Sequence, residues 1–234
     1  MALPFYLAMT AAEMAAISHF PPHTGYMACH FSPYGTGLCN LPRDMPPEGL
    51  LILNDRIPWH DHDGALILRQ LEEQIRIHSC GCVLLDFQRP GCEEVKALAQ
   101  SVISALPCPV AVSECYGDTL SCPVFLPPVP LDMPIKEYLQ PWKEREIWLE
   151  SALDAVQITL TESGSRTILL PYSGEPDTGH REEILHCRYR TEVTEDRVQF
   201  TLHRTRSDLD ALLEEAESCG VTRAVGLWQE LAVP

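Results

Sequence analysis

The sequence predicts an α/β fold, a compact (β/α)8 barrel of the TIM type with fewer outer helices than usual and β-hairpin insertions near the C-terminus. Three observations predict it. Short, continuously apolar runs recur along the chain, several of them are followed by a segment of helical period, and the 234 residues suit one barrel domain spanning 1–234, since such barrels run to roughly 250 residues without dividing.

The candidate strands are Phe5 to Met9, Tyr26 to Phe31, Leu50 to Asn54, Cys82 to Phe87, Pro109 to Ser113, Cys122 to Leu126, Ile168 to Leu170 and Ala224 to Trp228. They are apolar throughout instead of alternating, as parallel strands covered on both faces are. Eight of them point to a closed ring. The clearest helix is Ala65 to His78, with Leu68, Leu71 and Ile75 on one face and Asp63 as its cap. A second, Glu93 to Leu106, stripes Val95, Leu98, Val102 and Leu106 until Pro107 ends it. The third is Asp208 to Cys219, with Ser207 and Asp210 spaced as a capping box and Gly220 as the C-terminal cap.

The ring of helices is thinned. Ser32 to Gly49 is rich in glycine and proline without helical period, and only Glu114 to Ser121 joins the fifth and sixth strands. Two segments alternate polar and apolar residues around a polar turn and read as hairpins. One pairs Val156 to Thr161 with Ile168 onward, within residues 155–170; the other pairs Cys187 to Val193 with Arg197 to His203, within 187–204.

The formal charge of −16 repels nucleic acid and anionic membrane, leaving neutral sugars, cations or a basic protein surface as partners. No apolar stretch approaches the ~20 residues that cross a bilayer. The N-terminal Met1-Ala-Leu-Pro-Phe-Tyr-Leu-Ala-Met has no basic flank and no long apolar core, so a cytoplasmic protein is expected. Ten cysteines invite a disulfide reading, but Cys29, Cys82, Cys108 and Cys122 sit inside apolar runs, where cysteine behaves as a small hydrophobe. Free thiols are expected. The closest cysteine spacing, Cys80-x-Cys82, does not suit zinc. No phosphate loop, nucleophile elbow or redox pair is present, and no cofactor is expected. The sequence sets no oligomeric state.

The segment Cys82-Val-Leu-Leu-Asp86-Phe87-Gln88-Arg89-Pro90-Gly91 resembles the fourth barrel strand of glycoside hydrolase family 18, which carries Asp-x-x-Asp-x-Asp-x-Glu, often followed by Tyr-Pro-Gly. Asp86 stands for the last aspartate, Phe87 for the usual tryptophan, and Pro90 and Gly91 match. Gly81 and Leu84 fall where the first two aspartates belong, and Gln88 where the proton-donating glutamate belongs. The C-terminal stretch is similar to the spore-associated branch of that family. Arg206-Ser207-Asp208-Leu209 opens a helix, then Gly220-Val221, Gly226, Trp228 and Leu231 follow at that branch's spacing.

The resemblance implies substrate-assisted chemistry, in which a glutamic acid protonates the glycosidic oxygen and the sugar's acetamido group attacks the anomeric carbon. A glutamine has no proton to give at a usable pKa. The expected function is therefore a catalytically impaired barrel that binds a glycan or peptidoglycan-type ligand at its C-terminal face. The alternative is an active glycosidase whose acid has moved to Glu114 or Asp86.

Each candidate residue has a plainer reading beside the functional one. Asp86 is an active-face carboxylate or a surface helix cap. Gln88 orients a ligand or is solvated. Glu114, after Val110-Ala-Val-Ser, is a replacement acid or a loop carboxylate; Asp55 follows the third strand and faces the same mouth or solvent. Tyr172 and Trp228 offer rings for sugar faces, and Trp228 also fits barrel packing. A third function, a metal-dependent hydrolase, rests on His60-Asp61-His62-Asp63, a His-x-His pair at a strand end. A polar turn and helix cap explains the same residues.

Overall fold

Each strand of the barrel forms where a β-branched or aliphatic run is interrupted by a turn, and the order of runs sets the ring. In the computed structural model, residues 3–170 and 179–232 are described. The chain begins β1 (Phe5–Met9), α1 (Ala11–Ala16), β2 (Thr24–Phe31), β3 (Leu38–Cys39), β4 (Leu50–Asn54), α2 (Gly64–His78), β5 (Cys82–Asp86) and α3 (Glu93–Ala105). It continues β6 (Val110–Ser113), α4 (Glu114–Gly117), β7 (Val124–Leu126), α5 (Ile135–Leu139) and β8 (Ile147–Ser151). Then come β9 (Ala155–Thr161), β10 (Gly164–Leu170), β11 (His180–Glu182), β12 (Cys187–Val193) and β13 (Arg197–His203), before α6 (Arg206–Ser218), β14 (Val221–Leu227) and α7 (Trp228–Leu231).

Strands β1, β2, β4, β5, β6, β7, β8 and β14 pair in parallel in that order, and β1 closes the ring against both β2 and β14. The result is a closed eight-stranded TIM-type barrel. The outer ring is indeed thin. Among the described residues only α2, α3 and α6 exceed ten residues, and the glycine- and proline-rich stretch after β2 carries only β3, antiparallel to β2.

Side chains fill the barrel in layers. Tyr6, Leu50, Cys82, Ile52, Leu84, Ala111, Phe125, Trp148 and Val225 form the inner cluster. At its base Arg223 lies over the Trp148 ring at 4.8 Å, and Trp148 Nε1 donates to Glu146 Oε1 at 3.2 Å. Outward-facing residues of β2, β4 and β5 pack with α2 and α3, while those of β7 and β8 pack with α5 and α6.

One barrel strand differs from expectation. The seventh is Ile147–Ser151, and Ile168–Leu170 belongs to β10, outside the ring. The physical reason lies in the flanks: Ile-Trp-Leu is only three residues long between Glu146 and Glu150, whereas Ile168-Leu-Leu looks more apolar but leaves Leu169 81% exposed.

Between the seventh and eighth barrel strands, ahead of α6, stands a five-stranded antiparallel sheet, ordered β10-β9-β13-β12-β11. Both expected hairpins form, β9 with β10 and β12 with β13, and β9 pairs with β13 to join them. Arg204, fully buried, ties this sheet to the barrel by donating to the carbonyls of Val129 and His186, each at 3.1 Å. The cap of α6 is Thr205 with Asp208, not Ser207 with Asp210. Asp208 also receives Arg188 Nε at 3.3 Å, so the pair nearer the sheet prevails over the equally spaced one. All ten cysteines are free.

Candidate functional site

Alternation along the parallel strands puts Asn54, Asp86 and Glu150 on the same inward parity as Ile52, Leu84 and Trp148, one step further toward the C-terminal mouth. There they line an open cavity of about 730 Å³. Its floor is apolar, made by Ala8, Ile52, Leu84, Phe125 and Val225, and its wall carries Thr10, His30, Asn54, Asp55, Asp86, Gln88 and Glu150. The C-terminal mouth is where barrels of this architecture place their ligands.

Of the residues singled out from the sequence, Asp55, Asp86 and Gln88 converge here. Asp55 is buried, and both its oxygens are filled: Oδ1 accepts the backbone N–H of Gln88 at 3.0 Å and Oδ2 that of Arg89 at 2.9 Å. Its own N–H donates to the Asp86 carbonyl at 3.4 Å. Asp55 therefore positions the turn that presents Gln88. The Gln88 side-chain amide donates a short hydrogen bond to Asp86 Oδ1, which also accepts the Ser113 hydroxyl at 3.2 Å. Burial pushes the Asp86 carboxyl above its ordinary range; the two hydrogen bonds oppose that and the Asp55 charge adds to it.

The positions of the two missing aspartates have structural explanations. Leu84 is 1% exposed within the inner cluster, so the group beneath Asp86 is a packed hydrophobe. A Cβ at Gly81 would stand 2.8 Å from the Glu48 carbonyl oxygen, which leaves no room for a side chain there.

Glu114 and Trp228 do not line the cavity. Glu114 opens the short helix α4 and is exposed, because the chain turns outward at Ser113. Trp228 is the first residue of α7, half-buried, and packs against the apolar layer between strands and helices; Leu227, not Trp228, reaches the wall. Tyr172 lies outside the described residues. The His60–His62 pair forms a turn: the His60 N–H donates to His62 Nδ1 at 2.9 Å, His62 Nε2 meets the Ser32 carbonyl at 2.8 Å, and Asp63 caps α2. Among the described residues no three metal-type side chains gather.

Sequence reasoning missed Glu150. It sits on β8 in register with Val225 of β14, and burial lifts its carboxyl from 4.5 to about 7, with the charges of Asp86, Asp154 and Glu230 pushing the same way. The signal was present in parity, since Glu150 lies two residues beyond the inward Trp148. It was hidden because the strand itself was not recognised.

No family model matches the chain, and no curated protein does. Solved structures do. The spore cortex-lytic enzyme SleL of Bacillus cereus superposes with a TM-score of 0.62 at 10% identity, covering 100% of this chain and 72% of that one. The chitinase-like agglutinin RobpsCRA of Robinia pseudoacacia gives 0.61 at 12%, covering 94% and 93%. A doubly substituted GH18 chitinase of Cycas revoluta, one of its changes glutamate to glutamine, in complex with (GlcNAc)4, gives 0.58 at 10%, covering 96% and 94%. Ring closure, strand order and superposition over 94–100% of its length show that the chain has the barrel fold of the glycoside hydrolase family 18 chitinases and the spore cortex-lytic enzymes.

Proposed function

We propose that the protein binds a glycan of the chitin or peptidoglycan type in the cavity at the barrel's C-terminal mouth, and that it does not hydrolyse it by the acid route of family 18. The observation that carries this reading is the Gln88 amide hydrogen-bonded to Asp86 on the cavity wall, and the motif resemblance assigns Gln88 to the position of that family's proton donor. An amide keeps the hydrogen bond and loses the acid. Support comes from the Cycas revoluta chitinase, whose glutamate-to-glutamine variant is in complex with (GlcNAc)4, and from the agglutinin with the same fold. The free thiols favour a reducing compartment, and we place the protein in the cytoplasm.

Calorimetric titration with (GlcNAc)4 tests the reading alongside a turnover assay on chitin-type aryl glycosides. Binding without turnover is expected, with binding weakened by Gln88→Ala. Turnover that survives Gln88→Ala but is abolished by Glu150→Gln would overturn it in favour of an active enzyme with a displaced acid. Glu114 no longer qualifies for that part, since it stands outside the cavity.

A further inference from the structure

The three carboxyls of the cavity are not alike in what they already hold. Asp55 has both oxygens filled by backbone N–H groups. Asp86 has Oδ1 filled, by Gln88 and Ser113. Glu150 accepts no hydrogen bond from any described residue, yet it lines the cavity. Two carboxyl edges thus face the same space with nothing of the protein opposite them.

Nor does a basic group offset them. Glu150 is surrounded by Asp86 of β5, by Asp154 beyond β8 and by Glu230 of α7, all acidic. Asp86 has Asp55 as its charged neighbour. Among the described residues neither Asp86 nor Glu150 forms an ion pair. The bases on the cavity wall lie elsewhere. Arg56 and Arg89 are exposed on the β4 and β5 exits, with the Arg89 guanidinium on the Arg56 carbonyl at 3.2 Å. The His30 ring bonds the Phe31 carbonyl and the Asn40 side chain. A buried carboxylate without a partner is costly, and proteins pair such groups, neutralise them or reserve them for a ligand.

We propose that the sugar recognised here carries a free amine: a glucosaminyl residue, with its acetyl group absent, whose ammonium sits between Glu150 and Asp86. This rests on the reading that the cavity holds a glycan. An ammonium has three N–H donors and one positive charge for the two open carboxyl edges. An acetamido group in that position offers one neutral donor, one carbonyl acceptor and a methyl, and brings no charge to the two carboxyls. The burial that lifts Glu150 to about 7 gives the proposal a second readout. At pH 6 Glu150 is mostly protonated while the sugar amine is charged. Seating the amine favours the ionised carboxylate, so binding must release a proton to the buffer.

The test is calorimetric titration of the full chain at pH 6 with a glucosamine tetramer and with (GlcNAc)4, in two buffers of different ionisation enthalpy. The glucosamine tetramer is expected to bind roughly tenfold or more tighter, the margin of one charge-assisted pair, with net proton release. Glu150→Gln should erase both the preference and the proton release. Glu72→Gln, on the exposed face of α2, controls for general attraction of a polycation to an acidic protein and should keep both. Binding of (GlcNAc)4 with no preference for the amine would overturn the proposal and leave the glycan reading standing. An amine preference that survives Glu150→Gln would overturn it as well. If neither sugar binds, the glycan reading itself falls, and this inference with it.

Discussion

Replacing Glu150 by glutamine should stabilise the protein at pH 8 and do little at pH 5. The carboxyl rises from 4.5 to about 7 on folding, so between those values the folded state holds a proton that the unfolded chain has released. Stability then falls as pH climbs through the window, because the folded state must surrender that proton against burial and the Asp86 charge. At about 1.36 kcal/mol per unit, the full penalty is about 3 kcal/mol at pH 8, and less than about 1 kcal/mol at pH 5, where the unfolded side chain is itself partly protonated. Glutamine has nearly the same shape and does not titrate, so it removes the penalty and keeps the packing. For a domain of this size each kcal/mol moves the melting temperature by roughly 2–4 °C, which puts the gain at pH 8 at about 6–12 °C. Thermal unfolding of both proteins at pH 5 and pH 8 measures it. An equal shift at both pH values, or a loss at pH 8, would refute the assignment of Glu150 as a buried, uncompensated acid.

Three further expectations follow from single side chains. Asp55→Ala removes the acceptor of two backbone N–H groups and should cost about 2–4 kcal/mol in urea unfolding, with faster hydrogen exchange at the amides of Gln88 and Arg89; unchanged exchange there would contradict its positioning role. Gln88→Glu should give no turnover of chitin-type aryl glycosides, since Leu84 and Gly81 leave Asp86 without the carboxyl neighbours that family 18 carries, and it should destabilise the protein more at pH 8 than at pH 5, because two carboxyls at hydrogen-bond distance cannot both ionise cheaply. Arg204→Met deletes a buried cation holding three carbonyls and should cost about 3 kcal/mol or more, with the loss seen first as proteolysis within residues 155–204; cleavage elsewhere would show that Arg204 does not tether the sheet.

How much of this was legible depended on whether a residue's neighbours were local. The strands with long apolar runs, Leu50–Asn54 and Cys82–Asp86, and the helices with clean stripes and caps, Gly64–His78 and Glu93–Ala105, were readable because their signals lie within one turn or one pleat. Asp86 and Gln88 were found through their motif. Asp55 was placed at the mouth, but its role was not: its partners are thirty-three and thirty-four residues away, and nothing local signals backbone donors in a later turn. Ile147–Ser151 escaped because its apolar run is only Ile147-Trp148-Leu149, closed at both ends by Glu146 and Glu150. With the strand went Glu150, the most perturbed carboxyl of the cavity. Trp228 was left open between the mouth and packing, and one residue of helix beyond β14 turns its ring to the packing layer.

The ring closes between β1 and β14, the earliest and latest strands of the chain, through the registers Phe5 with Ala224 and Ala8 with Leu227. During synthesis every barrel pairing except the two that β14 makes, with β1 and β8, becomes available before β14 emerges. A nascent chain lacking Val221–Leu227 therefore exposes two open sheet edges, β1 and β8, both rich in aliphatic and aromatic residues and offering ready templates for another copy. This architecture makes the residues of Val221–Leu227 a gatekeeper of solubility. Early termination within them should send the product to aggregates instead of leaving it folded and merely inactive.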